Sequence, residues 1–199
     1  MNLLRKAALA AMLALPGVGA SAAVIDFSNA SLGTHTGYVE DGFVFDKVRV
    51  VSASCANKSK QNCAAENAFR ETTLTRLGGG GFTVNSLWFS IVSAASPMKL
   101  VGDKGSVTLA VGDMLGGVAI QMAKGYAADL SRNGVFQNIG FLKIVDLTLG
   151  DPGTGHFKGN LRFDDLDVTE VAPVPLPAAG GLMLAGMGGF AMLRRRKRL

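Results

Sequence analysis

Little in this 199-residue chain points to chemistry. It holds two histidines, two cysteines, two tyrosines and one tryptophan. Histidine is the side chain that most readily moves protons near neutral pH, and here His35 and His156 stand apart in Gly33-Thr34-His35-Thr36-Gly37 and Gly153-Thr154-Gly155-His156. There is no GxSxG elbow, HExxH pair, Walker loop or glycine fingerprint. Gly78 to Gly81 lacks the Lys-Ser/Thr and the helix that a phosphate cradle needs, and reads as a turn. A secreted hydrolase would need two distant carboxylates, or a carboxylate and His156, brought face to face by the fold. The reading is of a protein that is not an enzyme.

Positive charge is also missing where a nucleic-acid binder would carry it. The formal net charge is +5, with 20 basic and 15 acidic residues. Seven of the basic residues lie at the two ends: Arg5 and Lys6, then Arg194, Arg195, Arg196, Lys197 and Arg198. Setting those aside leaves thirteen basic residues against fifteen acidic ones, so the body is mildly acidic. No basic stripe with interleaved aromatics remains, which excludes nucleic acid as a partner.

What is present is concentrated at the termini. Arg5 and Lys6 precede the apolar stretch Ala7 to Leu15, then Pro16 and the small residues Gly19-Ala20-Ser21-Ala22-Ala23. That order is a secretory signal peptide, residues 1–23, with cleavage before Ala23 or before Val24. At the other end, Val174 to Leu193 carries no charge. A helix over that span is roughly 30 Å long, enough to cross a bilayer. The basic cluster Arg194 to Arg198 follows at once and should stay cytoplasmic, leaving everything upstream outside.

Residues 24–172 make one exported domain of ordinary size. Cys55 and Cys63 flank the polar loop CANKSKQNC, and in an oxidising compartment they are expected to form a disulfide. CxxC spacing and further ligands are both missing, which sets aside a redox or metal pair. Short runs of β-branched and aromatic residues alternate with glycine-marked turns, predicting strands at 43–50, 69–77, 82–92, 105–111, 116–123, 139–149 and 161–170. Ala64 to Arg70 could form one or two helical turns. Such spacing predicts an all-β fold, an antiparallel β-sandwich of jelly-roll-like form.

The acids of the closing strand, Asp164 and Asp165, admit two readings. They are outward-facing strand and turn residues, or they join Asp26 of the first strand in a calcium site, since hard oxygen ligands are what calcium selects. No EF-hand spacing is present. A structural calcium is the one cofactor the sequence suggests.

Val174-Pro175-Leu176-Pro177-Ala178, the glycine-rich apolar run and the Arg cluster together resemble the VPLPA variant of the PEP-CTERM sorting signals of Gram-negative bacteria. The resemblance implies export by the general secretion machinery, removal of the leader by signal peptidase, transient anchoring in the inner membrane and processing by an exosortase. Val174 to Ala178 would be the recognition motif, Arg194 to Arg198 the stop-transfer cluster, and residues 173–199 the whole signal. Pro175 and Pro177 hold an extended backbone open to a protease. The chain would end in the cell envelope, on the surface or in the extracellular matrix, with a structural or adhesive role in biofilm architecture.

The body is similar to β-sandwich domains found ahead of such signals, in Gly80-Gly81-Phe82-Thr83-Val84-Asn85-Ser86-Leu87 and in Phe163-Asp164-Asp165-Leu166-Asp167-Val168. Several of those domains look like carbohydrate-binding jelly rolls, which makes extracellular polysaccharide a candidate partner. Sugar recognition uses exposed aromatic platforms, and only Trp88, Tyr38 and Tyr126 could supply one. Trp88 lies in the apolar stretch Leu87-Trp88-Phe89-Ser90-Ile91, where core packing is expected.

Overall fold

The computed structural model describes residues 20–55, 62–66, 69–93, 96–148 and 160–171. These belong to a compact unit spanning Ala20–Val171. Among the described residues all regular structure is β apart from one 3-10 turn, Gly134–Phe136. In chain order the strands are β1 (Ala22–Ile25), β2 (Gly33–Glu40), β3 (Phe43–Val51), β4 (Cys63–Ala65), β5 (Glu71–Arg76) and β6 (Phe82–Ile91). Then follow β7 (Met98–Gly102), β8 (Gly105–Leu109), β9 (Met114–Leu115), β10 (Val118–Ala119), β11 (Gly125–Asp129), β12 (Phe141–Asp146) and β13 (Leu161–Glu170).

Eleven of these strands form one antiparallel sheet in the order β11-β6-β13-β4-β3-β5-β12-β7-β8, with β1 on β13 and β2 on β3. The sheet curls. Phe43 of β3 and Phe82 of β6 meet edge to face at 5.2 Å although β13 and β4 lie between their strands. Phe82 and Ile139 exchange both backbone hydrogen bonds, at 3.0 and 2.8 Å, tying the start of β6 to the chain just before β12. Two stretches far apart in the sheet order are thus drawn together.

Alternation decides what goes inside. Along β12, Leu142, Ile144 and Asp146 are buried while Phe141, Lys143 and Val145 are half-buried, the period-two pattern of a strand with one covered face. Phe27, Phe45 and Phe163 are fully buried and pack as a cluster, with Phe27 5.3 Å from Phe45 and 5.9 Å from Phe163. Burying a large aromatic side chain stabilises by about 1.5–3 kcal/mol, so such a cluster anchors the curl.

Two local devices shape the strands around the site. On β13, Asp164 lies opposite Trp88 and Asp167 opposite Ser86, so three steps on one strand face two on the other. This is a β-bulge, with Asp165 at φ +45°. On β3, pairing passes from β5 to β4. Between those contacts the Asp46 carboxylate accepts from the Thr73 amide at 2.7 Å, replacing a ladder bond.

Several sequence expectations need correction. The strand predicted at 116–123 is instead the hairpin β9–β10, turned by Gly116 (φ +57°) and Gly117 (φ +84°). Two successive positive φ values are the type I′ requirement, met by glycine without Cβ strain. The helical turn expected from Ala64 begins as strand β4, because Ala64 pairs with both Val50 and Phe163. β1 starts at Ala22, inside the predicted leader, and β2, β7 and β11 arise where no strand was predicted. The C-terminal span 174–193 lies outside the described residues, and no helix among the described residues is long and apolar enough to cross a membrane.

Candidate functional site

A cleft of about 320 Å³ opens beside the β6–β13 pair, lined by Ser52, Ser54, Cys55, Ser90, Val92 and Ala123. Its position follows from register. Ser90 of β6 faces Arg162 of β13, and the chain leaving β3 carries Ser52 and Ser54 over them. The Cys55–Cys63 disulfide, with Cα atoms 5.7 Å apart, ties that chain to the start of β4. Arg162 is buried and donates from Nε to the Ala53 carbonyl at 3.3 Å and from Nη1 to the Leu161 carbonyl at 3.1 Å. Burial, with Arg49 nearby, lowers its pKa. The lining offers three hydroxyls and apolar surface. It suits a small polar group held by hydrogen bonds, and it pairs no nucleophile with a base.

The predicted metal residues fall in a second place. Asp164 is fully buried and neither carboxylate oxygen has a hydrogen-bond partner. Burial pushes its pKa up to about 8, helped by the charges of Asp165, Asp26 and Glu40, while the Asp165 amide, outside hydrogen-bond geometry, pulls it back in part. Glu40 is raised too, chiefly by burial, although it accepts from the Tyr38 hydroxyl at 3.0 Å. Asp26 uses Oδ1 to accept from the Ser28 amide at 2.9 Å. So Asp26, Asp164 and Asp165 share an acidic neighbourhood, as the meeting of β1 with β13 dictates. They do not converge as ligands, and no group of three or more His, Cys, Asp or Glu among the described residues is placed to hold a metal ion. The calcium expectation for this trio gains no support from the described residues. The bulge that buries Asp164 sets Asp165 apart at a left-handed φ, and Asp26 is turned to its own loop.

A third place was missed from the sequence. Glu66, just after β4, is fully buried with both carboxylate oxygens unpartnered. Burial pushes its pKa up to about 9, and the strongest charged neighbour is Asp146, which raises it further. Asp146 ends β12 and is itself raised by burial, against Thr148, the Asn160 amide and Arg70, which favour its ionised form. Its Oδ1 accepts from the Thr148 amide at 2.8 Å and from the Thr148 hydroxyl, while Oδ2 is unpartnered. The Leu142-Ile144-Asp146 alternation could have revealed Asp146; nothing around Glu66 gives such a signal.

The remaining predicted residues are scattered. Trp88 is 6% exposed and covered by β11, where a Cβ on Gly125 would lie 2.6 Å from its Nε1, so only glycine fits there. Tyr126 packs 5.9 Å from Phe89 and its hydroxyl bonds to the Ala119 carbonyl and Gln121 amide. Both aromatics serve packing and loop positioning. His35 lies on β2, not in a loop, with Nε2 2.7 Å from the Ser31 carbonyl. His156, the sorting motif Val174 to Ala178 and the cluster Arg194 to Arg198 lie outside the described residues.

No protein-family model matches the chain, and no curated protein matches it. Among solved structures, a family two carbohydrate esterase from Cellvibrio japonicus is similar over 80% of this chain at 9% identity, with a TM-score of 0.35. The chain spans 36% of that esterase's length. A likeness of that order assigns neither fold nor activity, so the class rests on the strands themselves: an all-β, antiparallel protein.

Proposed function

We propose that the chain is an exported protein of the cell envelope or extracellular matrix, sorted and processed by an exosortase through residues 173–199. Its body serves as a non-enzymatic, jelly-roll-like β-sandwich with a structural or adhesive role. The carrying observation is the order of parts in the sequence: a leader at one end, and at the other a VPLPA motif, an uncharged run and five basic residues. The general secretion machinery and signal peptidase act first, the inner membrane holds the tail transiently, and the exosortase cuts near Val174 to Ala178. The described body supports a structural role in two ways. Most bulky aromatics among the described residues are spent on the core, and Trp88 is not available as a sugar platform, which favours this reading over polysaccharide binding.

The test is the intact mass of the protein recovered from envelope and culture supernatant, beside a Pro175→Ala/Pro177→Ala variant. The expected outcome is loss of both terminal segments in the wild type and retention of the tail in the variant. A wild-type mass that still includes Arg194 to Leu199 means a permanent anchor and overturns the reading.

A further inference from the structure

Ends of four chain segments meet around Asp146. Asp146 closes β12, with its amide bonded to the Arg70 carbonyl at 2.9 Å. Ser96, fully buried before β7, shares a hydrogen bond with the Thr148 hydroxyl at 2.6 Å and accepts from the Asn160 amide at 3.3 Å. Asn160 precedes β13, and Glu66 follows β4 with its amide on the Leu161 carbonyl at 3.0 Å. The backbone around these side chains is thus pinned, yet the carboxylates themselves are under-served. Three buried oxygens, Glu66 Oε1 and Oε2 and Asp146 Oδ2, have no hydrogen-bond partner.

That arrangement is costly as it stands, because a buried carboxylate left without partners loses hydration and gains nothing back. Cations nearby answer it only in part: Lys47 favours the ionised form of Glu66 although its ammonium also sits over the Phe69 ring, 5.6 Å from its centroid, and Arg70 favours that of Asp146. Lys143 and Arg76 are engaged with Glu71 and Glu170. Asp46 and Glu71 add negative charge to the surroundings of Glu66. Buried carboxylate oxygens that nearby cations serve only in part, on a pinned frame, are what an oxygen-seeking cation requires.

We propose that Glu66 and Asp146 bind a divalent cation of the calcium class through the three carboxylate oxygens that the protein leaves without partners. The donor set is all oxygen, with no histidine or thiolate, which selects against zinc and copper. Calcium takes six to eight oxygens at flexible geometry and accepts a bidentate carboxylate such as Glu66, whereas magnesium insists on a small octahedron and keeps its water. The hydroxyls of Ser96 and Thr148 lie one bond further out. Thr148 has a single hydroxyl proton, which serves Asp146 Oδ1, and the Ser96 hydroxyl supplies the proton for the Thr148–Ser96 contact. The site joins the ends of β4 and β12 and is separate from the Asp26–Asp164 corner. It requires nothing of the sorting signal.

The test is thermal unfolding of the full chain in mild detergent at pH 7.5, titrated with calcium chloride and reversed with EDTA. At about 10 mM calcium, above the range typical of extracellular calcium modules, the melting temperature should rise by about 3–10 °C. Glu66→Gln and Asp146→Asn should abolish the rise, and Asp164→Asn should keep it. Glu66→Asp keeps the charge and retracts it by one methylene, so its midpoint should move at least tenfold higher in calcium. The proposal is overturned if wild-type melting ignores calcium, if the rise survives in Glu66→Gln, or if Asp164→Asn removes it.

Discussion

The aromatic cluster of β3 and β13 and the hairpin β9–β10 are built from similar residues and end in opposite conditions. In the cluster, Phe45 and Phe163 are fully buried against Phe27. In and beside the hairpin, Met114, Val118 and Met122 are 66%, 58% and 54% exposed. Apolar composition therefore does not decide burial here. Position in the curled sheet does: β3 and β13 are each paired on both sides, whereas β9 and β10 pair only with each other. A strand flanked on both edges has its inner face covered by the curl, whereas the short hairpin turns only Leu115 toward the core and leaves Met114 and Val118 outside.

The largest effect should come from hollowing the cluster. Phe163→Ala removes a ring that touches Phe27 and Phe45, and should destabilise by about 3–5 kcal/mol in urea unfolding. Val118→Ser in the hairpin should stay within about 0.5 kcal/mol. Equal losses at the two sites would break the comparison.

Next comes the acid that the β13 bulge places beside the cluster. Asp164 is raised to about 8 in the folded state, against about 3.9 in an unfolded chain. The folded protein therefore binds more protons than the unfolded one between those values, and stability falls as pH rises from about 4 to about 8, then levels off. Asp164→Asn should flatten that slope. Unfolding midpoints from pH 4 to 9 check it, and an unchanged slope would mean that Asp164 is ionised and served by a partner. Glu66, raised to about 9, contributes a slope of the same sign over a slightly wider window, so the two are separated by comparing Asp164→Asn with Glu66→Gln.

The disulfide should matter less. Cys55 and Cys63 close a short loop, and removing both by Ser substitution should cost about 2–3 kcal/mol on the chain-entropy estimate. The cost should be read as a lower unfolding midpoint without loss of the β spectrum. An undiminished midpoint would mean that β4 is held by its pairing to β3 and β13 without help from the bridge.

How much of this was legible depended on whether a residue's neighbours lie nearby in sequence. β3 and β13 announced themselves by dense β-branched and aromatic residues, and β13 was predicted to its observed ends. β2 was not, because His35, Thr36 and Gly37 dilute its pattern and it holds its place by pairing with β3. The burial of Trp88 was legible from its apolar strand. The nearness of Glu66 to Asp146 was not, since it is made by bringing the ends of β4 and β12 together. Asp26 and Asp164 were rightly placed near one another by the meeting of first and last strands, yet the bulge at Asp165, which decides how those acids are presented, left no mark in the sequence. The hairpin was the opposite case. Leu115-Gly116-Gly117-Val118 is a two-residue turn signal between apolar residues, and reading through it as a continuous strand overlooked a marker that was present.

That turn gives the smallest and sharpest prediction. Gly116 sits at φ +57° with nothing within 4 Å of where a Cβ would be. Asparagine tolerates this backbone and leads glycine in type I′ turns. Gly116→Asn should therefore stabilise by about 0.5 kcal/mol, chiefly by removing freedom from the unfolded chain. Gly116→Val, β-branched at a positive φ, should destabilise by more than that. Chemical unfolding of the two variants side by side checks the sign. If both lower stability equally, the hairpin contributes through its residues' contacts and not through its turn, and its contrast with the aromatic cluster would be one of degree.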